Sequence, residues 1–156
     1  MLAFEERGQE MHNNERRAII ENLLMRGPIQ PAEREGSLAV QWNEFLERRA
    51  RQDRALDAFA PAETAHRDTQ KDPSISAARR AIVELNYVTA KASMYRASDA
   101  LNETARAIME GPFHTTQDMR IALSVAVLDE WIDDPEGIEA VLKIAAALID
   151  REYAAA

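Results

Sequence analysis

The chain is predicted to be all-α on three observations: few helix breakers, apolar residues recurring at helical spacing, and Gly or Pro where those patterns stop. Its 156 residues contain only 5 Gly and 6 Pro, with Ala prominent among the small residues, a composition that favours helix over strand. A hydrophobic fraction of 46% beside a charged fraction of 29% is that of a folded globular chain. The expected architecture is a bundle of four or five helices, with one long central helix at about 76–110 and a C-terminal antiparallel helical hairpin. Residues 1–156 are expected to form a single helical domain: an N-terminal helical hairpin at about 14–60, an exposed linker at about 61–74, and a three-helix core at about 75–153.

The first predicted helix is capped by Asn13 or Asn14, carries Ala18, Ile19, Leu23 and Leu24 on one stripe, and stops at Gly27-Pro28. The second starts from Ser37, repeats Leu38, Trp42, Phe45, Leu56 and Phe59 at helical spacing, and is closed by Pro61 near Ala60. Arginines 48, 49, 51 and 54 fall on several faces of its middle, which is expected to be solvated. Glu44 precedes Arg48 and Glu47 precedes Arg51 by four residues, the favourable order for intrahelical ion pairs. Residues 61–74 hold almost nothing apolar and read as a loop.

Ser74 or Ser76 opens a run without Gly or Pro that lasts until Gly111-Pro112, a helix on the order of 50 Å long. Its expected inward stripe is Ile82, Leu85, Val88, Ala92, Tyr95, Leu101, Ala105 and Ile108. Polar Thr89, Arg96 and Asp99 interrupt a long heptad seam, which disfavours an extended coiled coil. Thr115 or Thr116 caps a fourth helix with Asp118 in its first turn, apolar on most of its circumference and so expected to be the most buried. Asp134-Pro135 then caps a fifth helix carrying Ile138, Val141, Leu142, Ala145, Leu148 and Ile149. The last two helices are expected to form the hairpin.

No catalytic, cofactor-binding or metal-binding residue emerges, and the expectation is a non-enzymatic protein without a cofactor. There is no cysteine, which removes disulfides, thiolate metal sites and cysteine nucleophiles together. His12, His66 and His114 are scattered, without a second histidine at helical spacing. The five glycines punctuate helix ends and build no phosphate loop, and Ser93, Ser98 and Ser124 lie inside helices, where a hydroxyl bonds back to its own backbone. Glu5, Glu6 and Glu10 stand where a secretory signal needs apolar residues, and the apolar run near Ile121–Leu128 is far short of the roughly 20 residues of a membrane span. A cytoplasmic location with no membrane partner is expected.

Charge is uneven along the chain. Residues 1–60 hold 9 basic and 11 acidic side chains, residues 61–110 hold 7 of each, and residues 111–156 hold 3 and 9. The net charge of -8 therefore belongs mainly to the last third, where Asp129, Glu130, Asp133 and Asp134 head a cluster continued by Glu136 and Glu139. That cluster is either a solvated hairpin tip or a docking surface for a basic partner. The arginines of the second helix are interleaved with Glu44, Glu47, Asp53 and Asp57, so direct nucleic-acid binding is not expected.

The third and fourth predicted helices, with the Gly111-Pro112-Phe113-His114-Thr115-Thr116 junction between them, resemble small uncharacterised helical proteins carried by bacterial phages and mobile elements. The resemblance covers about half of the chain, and it implies an origin in such an element without implying an activity. The leading functional expectation is a protein–protein interaction module that associates with itself, with Trp42, Phe45, Phe59 and Tyr95 as aromatic anchors. The alternative is an acidic inhibitor that imitates nucleic acid through Asp129, Glu130, Asp133 and Asp134 and blocks a host enzyme. A third possibility is a ligand-binding or enzymatic bundle with a pocket lined by Tyr87, Tyr95 and Trp131.

Overall fold

The computed structural model describes residues 14–15, 17–22, 24–25 and 38–155. The described residues of 14–25 are helical and constitute α1. They are followed by α2 (Ala39–Lys71), α3 (Ala77–Glu110), α4 (Thr116–Leu128) and α5 (Gly137–Ala154). No strand occurs among the described residues. The all-α expectation, the long helix near 76–110 and the C-terminal hairpin are all found. The predicted caps Asn13 and Ser37, the stop at Gly27-Pro28, and Leu23, Arg16 and His12 lie outside the described residues. The chain separates into two compact units, residues 43–104 and residues 1–42 with 105–156.

Within residues 43–104, α2 and α3 run antiparallel. Arg48 Nη1 donates to the Ala100 carbonyl at 2.7 Å and Gln52 Nε2 to Ser98 Oγ at 3.1 Å. Further along, Phe59 meets Tyr87 and His66 meets Glu84. Among the less exposed positions of α2, residues 48, 52, 55, 59, 62, 66 and 69 step alternately by four and three, as do 83, 87, 90, 94, 97, 101 and 104 among those of α3. This is the spacing of two helices packed along a heptad seam. On α2 the seam is half polar: Arg48 and Gln52 at one end and His66 and Thr69 at the other flank Ala55, Phe59 and Ala62. The ion pairs Glu44–Arg48 and Glu47–Arg51 are present, and Arg48 also reaches the Ala100 carbonyl and Glu103 of α3.

The expected stop at Pro61 and the linker at 61–74 are corrected: α2 continues through Pro61 to Lys71. A proline inside a helix deprives the carbonyl four residues back of its donor. Here Asp57 and Pro61 are both exposed, so that carbonyl lies on the water side. Good helix formers surround the proline, and beyond it His66 and Thr69 belong to the seam. The turn occupies only residues 72–76. Asp72 Oδ1 accepts the Ser74 N–H at 2.9 Å and the Ser74 hydroxyl at 2.6 Å, while Arg80 donates to the carbonyls of Asp72 and Ile75. The Ser74 hydroxyl, the Ser74 amide and the Arg80 charge together hold the Asp72 carboxyl below its usual value.

The other unit is organised by α4. Its residues Asp118, Met119 and 121–126 are all buried, matching the expected most buried helix. Arg120 pairs with Glu152, joining the start of α4 to the end of α5, so the two are antiparallel. Arg151 Nη1 adds a hydrogen bond to the His114 carbonyl at 3.2 Å. Gly111 enters the α3–α4 junction at φ 73°, and a Cβ there would meet Phe113 N at 3.2 Å and its ring at 3.3 Å, so glycine is required on both counts.

Asp118 ties its own helix to two chain segments, the α3–α4 junction and the residue before α2. Its Oδ2 accepts the N–H groups of His114 and Thr115, each at 2.9 Å, and its Oδ1 accepts the Leu38 N–H at 3.1 Å from 80 residues away. Thr115 Oγ1 accepts the Asp118 N–H at 3.1 Å, closing a reciprocal capping box. Burial pushes the Asp118 carboxyl up, but the donors from Leu38, Thr115 and His114 outweigh it and hold the group below the usual carboxylate value.

Two predictions follow from these contacts. Replacing Asp118 by Asn turns an N–H donor toward groups that need an acceptor, and unfolding in urea at neutral pH is expected to show a loss of about 2 kcal/mol. Because the folded value is the lower one, the stabilisation is complete above about pH 4 and disappears as pH falls through the folded value. The wild-type protein therefore loses stability in that acid range more steeply than D118N. Pro61→Ala restores a donor to the Asp57 carbonyl and is expected to raise stability by about 1 kcal/mol or more, read as a higher thermal midpoint.

Candidate interaction site

The two faces of α3 differ from the expected arrangement. The rear of the predicted inward stripe is buried, with Leu101, Ala105 and Ile108 at 1% exposure or less. Its front is not: Ile82, Leu85, Val88 and Tyr95 are 61%, 66%, 50% and 54% exposed. The correction has a geometric cause. Tyr87 of α3 meets Phe59 and His66 of α2, and the less exposed positions 83, 90, 94 and 97 share its side of the helix; at about 100° per residue the predicted stripe of 82–95 lies roughly on the opposite side. α3 is thus apolar on two sides, and α2 takes only one of them.

The aromatic candidates divide accordingly. Phe45 is fully buried and Trp42 half-buried, so Phe45 is a core residue of α2 and not an exposed anchor. Phe59 is half-buried, with its ring centroid 5.8 Å from that of Tyr87 at a tilt of 36°. Tyr95 alone of the four lies open, its ring 5.9 Å beneath the Lys91 ammonium, which also stands 5.5 Å from the Tyr87 ring. The open face of α3 is therefore an apolar strip edged by Glu84 and Lys91.

Sequence reasoning missed the cluster that borders this strip. The His66 ring stacks on Tyr87 with centroids 4.2 Å apart and 8° between planes, and its Nε2 lies 2.6 Å from Glu84 Oε2. The available signal was the seven-residue interval Phe45, Gln52, Phe59, His66, which continues straight across Pro61. His66 and Tyr87 thus fix the α2–α3 pairing, and Tyr87 is occupied in that role.

The acidic turn is mostly used by the fold. Asp129 Oδ2 accepts the Trp131 indole N–H at 2.9 Å, and Asp134 Oδ2 accepts the Gly137 N–H at 2.8 Å ahead of α5, whose N-cap position is Glu136 and not the expected Asp134. Asp133 lies 3.9 Å from Arg17 of α1. Glu130 is exposed and has φ 58°. A Cβ at Gly137 would approach the Trp131 carbonyl oxygen to 2.7 Å, so this turn tolerates no larger residue without shifting. In the same region Lys143, four residues on in α5, holds the Glu139 carboxyl below its usual value. At the α3–α4 junction the His114 N–H is spent on Asp118, so ordinary capping accounts for that helix start.

Among the described residues, no group of three or more His, Asp or Glu side chains is arranged to hold a metal ion, and no helix is long and apolar enough to cross a membrane. Asp134→Ala is expected to cost about 1 kcal/mol by leaving the Gly137 N–H at the start of α5 without its acceptor. Glu130→Gly is expected to gain up to about 1 kcal/mol by relieving the left-handed backbone. Both are read from urea midpoints. No family model matches the chain, and comparison with curated proteins and with solved structures finds no match.

Proposed function

We propose that the chain is a non-enzymatic helical interaction protein that associates with itself, with the open face of α3 as its contact surface. The observation that carries this reading is the exposed strip of Ile82, Leu85, Val88 and Tyr95 along the most regular element of the chain. Contiguous exposed apolar side chains on a rigid helix favour association, because covering them removes apolar area from water. The α2–α3 pairing, with its Gln52–Ser98 and His66–Glu84 contacts, presents that strip on a preorganised surface, which lowers the entropy lost on binding.

Nucleic-acid mimicry by the acidic turn draws less support. Asp129 and Asp134 are held within the turn by the Trp131 indole N–H and the Gly137 N–H, so a role in the fold accounts for two of the four carboxylates.

Light scattering after size exclusion of the full-length chain is expected to show an oligomer that persists at high salt, since the contact is apolar. Leu85 is exposed in the single chain, so Leu85→Glu is expected to leave the circular dichroism unchanged and to weaken association at least tenfold. A protein that stays monomeric at high concentration and enriches no partner contradicts the proposal.

A further inference from the structure

We infer that the open face of α3 is covered by the same face of a second copy, laid antiparallel so that Glu84 of each chain meets Lys91 of the other. This rests on the self-association reading above and adds the contact, its direction and its register.

The strip has the spacing of a helix seam. Ala78, Ala81, Leu85, Val88, Ala92 and Tyr95 step alternately by three and four residues, and all six are exposed. Thr89 and Arg96 fall beside this seam, and Asp99 ends it, so the polar residues that exclude a coiled coil along the whole helix leave a short one of roughly 25 Å. The seam lies on the opposite side of α3 from α2, so its pairing leaves the Phe59–Tyr87 and Gln52–Ser98 contacts in place.

Charge and side-chain size select the direction. In an antiparallel pair each first-seam residue packs against a fourth-seam residue of the other chain. Leu85 then meets Val88, Ala81 meets Ala92, and Ala78 meets Tyr95, which sets the largest side chain against a small one. The same register brings the flanking positions 84 and 91 together, giving two reciprocal Glu–Lys pairs across the two-fold axis. A parallel pair would face Lys91 with Arg96 of the other copy and place Tyr95 on Tyr95. Glu84 remains half-exposed despite its contact with His66, and the Lys91 ammonium stands between the Tyr87 and Tyr95 rings, 5.5 and 5.9 Å from their centroids. The surface is thus complementary to itself in one orientation.

The chain has no cysteine, so introduced thiols report one contact at a time. In the antiparallel register residue 78 sits beside residue 95 of the other copy and roughly 25 Å from its own equivalent, far beyond the reach of a disulfide. Full-length A78C and Y95C are expected to give no disulfide-linked dimer alone and to give one when mixed. Lys91→Glu is expected to weaken association roughly tenfold by replacing two attractions with two repulsions, and E84K/K91E to recover most of that loss.

Self-linking of A78C, or association indifferent to Lys91→Glu, overturns this register while leaving self-association intact. An oligomer that survives Leu85→Glu overturns the choice of face. A strict monomer overturns both the register and the functional reading beneath it.

Discussion

The buried carboxylate of Asp118 is the constraint on which the α4–α5 unit depends. A carboxylate removed from water is tolerated only when its oxygens are matched by donors, and here the donors are backbone N–H groups of Leu38, His114 and Thr115. One side chain thereby caps α4, closes the junction leaving α3, and fixes the start of α2. The apolar residues of α4 supply most of the burial energy, but they do not by themselves specify where α2 must begin. That specificity comes from a directional bond between residues 38 and 118, which no hydrophobic surface can provide.

The α2–α3 pair follows different physics. Its seam mixes small, aromatic and polar residues, so burial energy is modest and the register is carried by particular contacts, Gln52 with Ser98 and His66 with Tyr87 and Glu84. Polar groups at seam positions are a known means of fixing register at some cost in stability. Spending polar residues between α2 and α3 leaves the more apolar stripe of α3 outward. A sequence built only to stabilise a two-helix pair would have reversed this allocation. The outward placement of Leu85, Val88 and Tyr95 leaves an exposed apolar surface along α3.

Helix stops illustrate how local signals are overruled. Gly111-Pro112 does end α3, because the backbone there turns through φ 73° and glycine is the residue that permits it. Pro61 carries an equally strong local signal but stands on the exposed side of α2, where its missing N–H deprives only a water-facing carbonyl. Seam residues on both sides of it then hold the helix together. The difference lies in which side of the helix the proline occupies, which depends on the partner helix.

The sequence by itself determined the all-α class, the span of α3, the α4–α5 hairpin, the burial of α4 and the capping role of Thr115, because these rest on periodicity and capping chemistry within a few residues. It also determined the Glu44–Arg48 and Glu47–Arg51 pairs, which need only helical spacing. Tertiary structure alone decided that α2 crosses Pro61, that Phe45 is core while Tyr95 is open, and that Asp118 reaches Leu38. It decided above all which of the two stripes of α3 faces inward. Both stripes have helical spacing, and hydrophobicity favoured the wrong one, because the partner stripe on α2 is written in Gln, His, Thr and Arg and its match to α3 exists only when the two helices are side by side.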